Sequence, residues 1–210
     1  MLTVYHRQVG TSLVELMISM TLGLASLTAM ASLIGHGIAL NSQLLAKSRL
    51  DGEINGILTI VAHDVQRAGY HAWTENMLNN PGTFSSAFYG QPIRLSEYPF
   101  ETPDSCITFA YDRNHNGLLD TVNTNEKYGY RLKNKAIEIR QGGFSCIANG
   151  WQDLSDPNVV SITDLSFSKE VLSNQPLTHV RIHLFLTANL VKHPELSRGV
   201  RTSFTIKNYE

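Results

Sequence analysis

Residues 16–35 read LMISMTLGLASLTAMASLIG, twenty positions without one ionisable side chain. At about 1.5 Å rise per residue, a helix of that length covers roughly 30 Å, the thickness of a bilayer's hydrocarbon core. The stretch predicts one membrane-crossing helix near the N-terminus. On its N-terminal side stand Arg7 and, at the entrance of the apolar run, Glu15. A secretory signal peptide also places a basic residue before an apolar core, and Ala29-Met30-Ala31 imitates its small-x-small cleavage site. The run is longer than such a core, and a carboxylate at its entrance is out of place there. A plain membrane anchor would have Glu15 near the interface, solvated by headgroups; against it, an ionisable group in a membrane span is a functional-site candidate by default, and an unpaired carboxylate there costs about 2.5–3.5 kcal/mol.

The segment Gln8-Val9-Gly10-Thr11-Ser12-Leu13-Val14-Glu15-Leu16-Met17-Ile18 resembles the class III signal of type IV pilins and type II secretion pseudopilins. The resemblance implies that a membrane prepilin peptidase cuts after Gly10 and methylates the new N-terminus at Thr11, where most family members have phenylalanine. It also implies that Glu15, the fifth mature residue, pairs with the terminal amine of a neighbouring subunit. Packing into a filament then relieves the cost of the charge, and the role of Glu15 is assembly. On this reading residues 1–10 are a leader peptide and 11–35 a transmembrane and filament-core helix. Removing the leader deletes one basic residue, Arg7, and leaves a formal charge of −2.

Beyond His36 the pattern turns amphipathic. Ile54, Ile57, Leu58, Val61, Val65 and Ala68 recur at three- and four-residue steps, with Lys47, Arg49, Asp51, Glu53, Asp64 and Arg67 on the other face. Gly69 is placed to cap the C-terminus. One long helix is expected over 11–68, its amphipathic half within 36–69, loosened at Gly52 and Gly56. The tail His63-Asp64-Val65-Gln66-Arg67-Ala68-Gly69-Tyr70 is similar to the helix ending of PilW-type minor pilins, and a related ending occurs in the J-type minor pseudopilins of type II secretion. Asp64 and Arg67, three apart, are read as a surface pair contributing a few tenths of a kcal/mol.

Residues 70–210 are expected to form a globular β-rich domain. A loop-rich stretch over 74–91, with Asn79-Asn80-Pro81-Gly82 as turn signal, is followed by alternating runs at 107–111, 128–132, 136–140, 161–167, 179–187 and 200–207. Asn134 marks a hairpin turn. The fold class is α+β: a long N-terminal helix packed on an antiparallel sheet, the pilin architecture.

Cys106 and Cys146 are the only cysteines and fall in the part expected outside the inner membrane, where a disulfide closing about forty residues would stabilise the fold by roughly 4 kcal/mol. Between them Asp112-Arg113-Asn114-His115-Asn116-Gly117-Leu118-Leu119-Asp120 resembles the first nine residues of an EF-hand-type calcium loop. Asp112, Asn114, Asn116 and Asp120 offer side-chain oxygens, Leu118 a backbone carbonyl, and Gly117 the sharp turn. The twelfth position is Asn123 rather than glutamate, with Glu126 three residues late, so any calcium affinity should be weak. The alternative is an Asn/Gly turn whose side chains cap their own backbone.

Enzyme chemistry finds no anchor. His179 and His183 share one side of a strand with Arg181, a polar face lacking the further ligands zinc needs. No G-x-S-x-G, Walker A or G-x-G-x-x-G occurs, and Gly142-Gly143 reads as a turn. Tyr70, Trp73 and Trp151 are read as packing residues rather than a ligand platform. With 17 Lys and Arg against 18 Asp and Glu in 210 residues, a net charge of −1 and no run of basic residues, nothing points to nucleic acid.

The resemblance thus implies a minor pilin of the PilW type rather than an enzyme. Its expected partners are prepilin peptidase, other minor pilins, the major pilin and the inner-membrane assembly platform. The expected location is the bacterial inner membrane, single-pass with the C-terminal domain in the periplasm, and then the pilus fibre. No cofactor is expected beyond calcium. The rivals are a type II secretion minor pseudopilin and, from another class, a membrane-anchored periplasmic enzyme or binding protein.

Overall fold

The computed structural model describes residues 10, 12–72, 79, 93–122, 125–174 and 177–206. The chain divides into two compact units, Met1–Leu45 and Ala46–Glu210. The helix α1, Leu13–Gln66, contributes to both.

In the first unit every described side chain is exposed, including Leu16, Met17, Ile18, Leu22, Leu24 and Leu33. This is one helix long and apolar enough to cross a membrane, and it fits a single-pass anchor. Burial begins at the second unit. There Leu50, Ile54, Ile57, Val61 and Val65 line one face of α1, spaced four, three, four and four apart. The stripe differs from the expected one at two positions: Leu50 is fully buried one turn earlier, and Leu58 only flanks the core.

Among the described residues eight strands follow, in two antiparallel sheets rather than one. The first takes β1 (Arg94–Ser96), β2 (Cys106–Ala110), β3 (Lys127–Lys133), β4 (Ala136–Ile139) and β5 (Gln152–Asp153) in chain order. The second takes β6 (Val160–Asn174), β7 (Leu177–Leu190) and β8 (His193–Ile206), also in order. The strands β1 and β5, three and two residues long, are too short to show alternation. Asn134 and Lys135 both have positive φ, 50° and 65°, the type I′ geometry that a two-residue hairpin between Lys133 and Ala136 requires.

The two sheets meet along β6. The Ile162 N–H donates to the Lys135 carbonyl at 2.9 Å and the Phe167 N–H to the Asp104 carbonyl at 3.0 Å, so loops of the first sheet cover the outer edge of β6. On β7, Val180, Ile182, Leu184, Leu186 and Ala188 are buried at every second position. They share one core with the α1 stripe and with Ile107, Tyr130, Leu132 and Ile137 of the first sheet. The result is an α+β, pilin-like arrangement of a long helix on antiparallel sheets.

Candidate functional site: the N-terminal helix and its anchorage

Gly10 and Ser12 flank the expected cleavage point, while Thr11 and residues 1–9 lie outside the described residues. Glu15 sits in the first turn of α1, where a carboxylate suits the positive end of the helix dipole. The hydroxyls of this segment are turned inward: Ser19 donates to the Glu15 carbonyl at 2.8 Å, Thr21 to Ile18 at 2.9 Å, Ser26 to Leu22 at 2.8 Å and Thr28 to Ala25 at 2.9 Å. Each of these four hydroxyls is thereby satisfied within the helix, as an apolar surrounding demands. Glu15 is the one ionisable side chain in residues 13–35.

At its other end α1 is locked to the first sheet by residues that spacing alone had placed on the surface. Tyr130 donates its phenolic proton to Asp64 Oδ2 at 2.6 Å. The Arg67 guanidinium lies 4.3 Å from the centre of the Tyr111 ring, which stacks on Tyr128 at 4.0 Å. Asp64 and Arg67 therefore do not form a solvated pair; each holds a different aromatic of the sheet. Burial, and then the nearby Asp64 carboxylate, push the phenol pKa values of Tyr111 and Tyr130 well above the ordinary tyrosine range. Both stay neutral donors.

Gly69, at φ 77°, ends the helix and gives its N–H to the Ala110 carbonyl at 2.8 Å. The Tyr70 carbonyl then accepts from Asp112 N–H at 2.8 Å, so the chain leaving α1 pairs with the continuation of β2. The Ala-Gly-Tyr ending has a physical reason: the buried Ala68 packs in the core, Gly69 takes the left-handed turn, and Tyr70 reaches His115 Nδ1 at 3.0 Å. Trp73 lies outside the described residues.

The loop 112–120 starts at this junction. Asp112 is fully buried and accepts the N–H groups of Ala72, Asn116 and Gly117 at 2.8–3.2 Å. Burial alone would raise its pKa, but those donors and the His115 N–H outweigh it and hold the carboxyl below the usual value. Asn114 and Asn116 converge on Asp120, whose Oδ2 accepts both amide groups at 2.7 and 2.8 Å. Their Oδ1 atoms cap the N–H groups of Asn116 and Leu118. Glu126, three residues past the motif's twelfth position, is fully buried at the loop's base, taking the N–H groups of Arg113 at 2.7 Å and Asp120 at 3.0 Å. Among the described residues no three His, Cys, Asp or Glu side chains form a group that could hold a metal. Asn123 lies outside the described residues.

Cys106 and Cys146 are joined in a disulfide. Beside it Arg131 is fully buried, bonded to Glu138 Oε2 at 2.6 Å and to the carbonyls of Cys146 and Ala148 at 2.5 and 2.8 Å. Tyr98 and Trp151 lie within cation–π distance of its guanidinium, at 4.8 and 4.5 Å. Trp151 is therefore a packing residue. His183 bonds Glu170 at 3.1 Å on the polar face of β7, with Arg181 at 3.6 Å from the same carboxylate.

Comparison with known proteins adds the family. Residues 43–206 match the family of prepilin peptidase-dependent protein B. Prepilin peptidase-dependent protein B of Escherichia coli is 26% identical over 172 residues, covering 80% of this chain and 81% of that protein. A Haemophilus influenzae protein of uncharacterised role is 25% identical over 190 residues, covering 73% and 77% respectively. No solved structure matches. An apolar N-terminal helix headed by Glu15, carried into a sheet domain matched along nearly its whole described length, places this chain in the prepilin peptidase-dependent protein B family.

Proposed function

We propose that the chain is a minor type IV pilin. Prepilin peptidase removes residues 1–10, α1 holds the protein in the inner membrane with the sheet domain in the periplasm, and the chain then joins other minor pilins and the major pilin at the assembly platform to initiate or cap a fibre. The observation carrying this reading is that every side chain of residues 13–45 is exposed, the apolar run 16–35 included, with Glu15 in the first turn of the helix. Such a surface calls for lipid or other helices around it. A type II secretion minor pseudopilin would share these features, and location on pili or with the secretion machine separates the two. A membrane-anchored enzyme or binding protein would keep its function when Glu15 is replaced, whereas a pilin would lose assembly.

The test is intact mass and N-terminal sequencing of the membrane-extracted protein, co-expressed with its own prepilin peptidase, beside a Gly10 substitution. A chain starting at Thr11, and a Gly10 variant left uncut, is the expected result. A start at Met1 or after Ala31 would sink the reading.

For the loop 112–120 we propose weak calcium binding through Asp112, Asn114, Asn116, Asp120 and the Leu118 carbonyl. The gathering of the Asn114 and Asn116 side chains around the Asp120 carboxylate supports it.

A further inference from the structure

Arg113, Lys127 and Arg140 are far apart in a sequence that shows no basic run, yet the fold brings them to one cleft of about 700 Å³. Asn114, Asn125 and Gln141 line it too, and no carboxylate is among its described lining residues. The loop's own acids are committed elsewhere, Asp120 to the asparagine amides and the buried Glu126 to backbone N–H groups. Among the described residues, none of the three cations has a carboxylate within ion-pair distance.

Two of the cations are held in place. Arg140 spends three of its five N–H groups on carbonyls, Phe144 at 2.6 Å, Gly143 at 2.7 Å and Tyr128 at 3.3 Å, leaving two for another acceptor. Those carbonyls are neutral, so its charge is fixed without being cancelled, and burial holds its pKa below the ordinary arginine value. The stem of Lys127 lies over Gly143, whose φ is 74°; a Cβ there would come within 3.1 Å of Lys127 Cδ. A desolvated guanidinium with free donors, a second guanidinium and an ammonium, ringed by amides, is a receptor for oxyanions.

We propose that this cleft binds an acidic polypeptide segment, its carboxylates meeting Arg113, Lys127 and Arg140 and its backbone meeting the Asn and Gln amides. Nucleic acid fits less well. Duplex binding draws on many phosphate contacts along a track, and three cations in a concavity do not make one. Single strands need exposed rings to stack on, and the aromatic among its described lining residues, Tyr128, already stacks on Tyr111. The proposal names the chemistry of a partner and so rests on reading this domain as one that associates with other polypeptides. It does not depend on processing at Gly10.

The purified full-length chain in non-ionic detergent micelles is titrated against fluorescein-labelled hexaglutamate, with anisotropy as readout, alongside a labelled 12-base-pair DNA and competition by inorganic phosphate. Hexaglutamate should bind and weaken as salt rises, and Arg113→Gln with Lys127→Gln should lose at least about tenfold in affinity. Lys127→Arg should retain binding, showing that the charge and not a damaged fold is responsible. A control pair, Lys192→Gln with Arg201→Gln, removes the same charge elsewhere and should change little. No binding of hexaglutamate, equal weakening by the control pair, or tighter binding of the DNA would overturn the proposal. Competition by phosphate at concentrations comparable to the peptide would reassign the cleft to a single small anion.

Discussion

Tyr130 and Asp64 are sixty-six residues apart in the chain, and their 2.6 Å hydrogen bond ties the end of α1 to the middle of the first sheet. The bond has a carboxylate acceptor and a donor on a fully buried residue, which puts it among the stronger kind. Tyr130→Phe should therefore cost about 1.5–3 kcal/mol in urea unfolding. Asp64→Asn should cost less, and the double variant should be less destabilised than the sum of the two. Additive losses would show that the two residues act separately.

Arg131 and Glu138 are a buried pair, and breaking one side leaves the other charged and unmatched. Glu138→Gln and Arg131→Met should each destabilise by about 3–5 kcal/mol. The arginine variant should be the worse, because it also abandons two carbonyls and the Trp151 ring. Near-wild-type urea midpoints for either variant would contradict the pair's structural role.

Cys106 and Cys146 close a forty-residue separation that contains β2, β3 and β4. Replacing both with serine should lower stability by about 2–5 kcal/mol. Because the Cys146 carbonyl is also a partner of Arg131, the double substitution combined with Glu138→Gln should be non-additive. Thermal denaturation with and without reductant measures the first effect in the unaltered chain.

Asp112 makes the domain acid-sensitive in a predictable direction. Its folded pKa lies below the ordinary carboxylate value, so its contribution is complete above the unfolded-chain value near pH ~3.9 and drains away as pH falls through the lowered folded value. The thermal midpoint of the wild type should drop below about pH 4, whereas Asp112→Asn should start lower at pH 7 and fall less steeply. Parallel curves would show that other carboxylates dominate.

Calcium at the 112–120 loop is expected to raise the thermal midpoint only at millimolar concentrations, with chelator reversing the effect, and Asp120→Ala should abolish it. An unchanged midpoint at 10-fold higher calcium than about 1 mM would leave the loop as a self-capped turn.

The helix and the long strands were legible because burial there follows simple periods: steps of three and four in α1 and alternation in β7. What periodicity cannot carry is pairing across distance. Asp64 and Arg67 look like any solvated helix pair until Tyr130 and Tyr111 are brought to them. Glu126 falls outside a linear loop motif because the loop folds back on it from both sides. The strands β1 and β5 are too short to have a period at all. The basic cleft is a property of topology, since its three cations come from a loop, from the start of β3 and from just beyond β4.

The bare helical surface of residues 13–45 means that this molecule does not complete its own burial. Lipid tails and a sheaf of neighbouring helices are both apolar solvents, so a move between them leaves the contact of these leucines and methionines with water nearly unchanged. The large hydrophobic free energy then cancels from the comparison, and small differences decide the direction of travel. On the proposed reading of the chain as a pilin, that balance is where the single carboxylate of Glu15 would count for more than a whole turn of leucines.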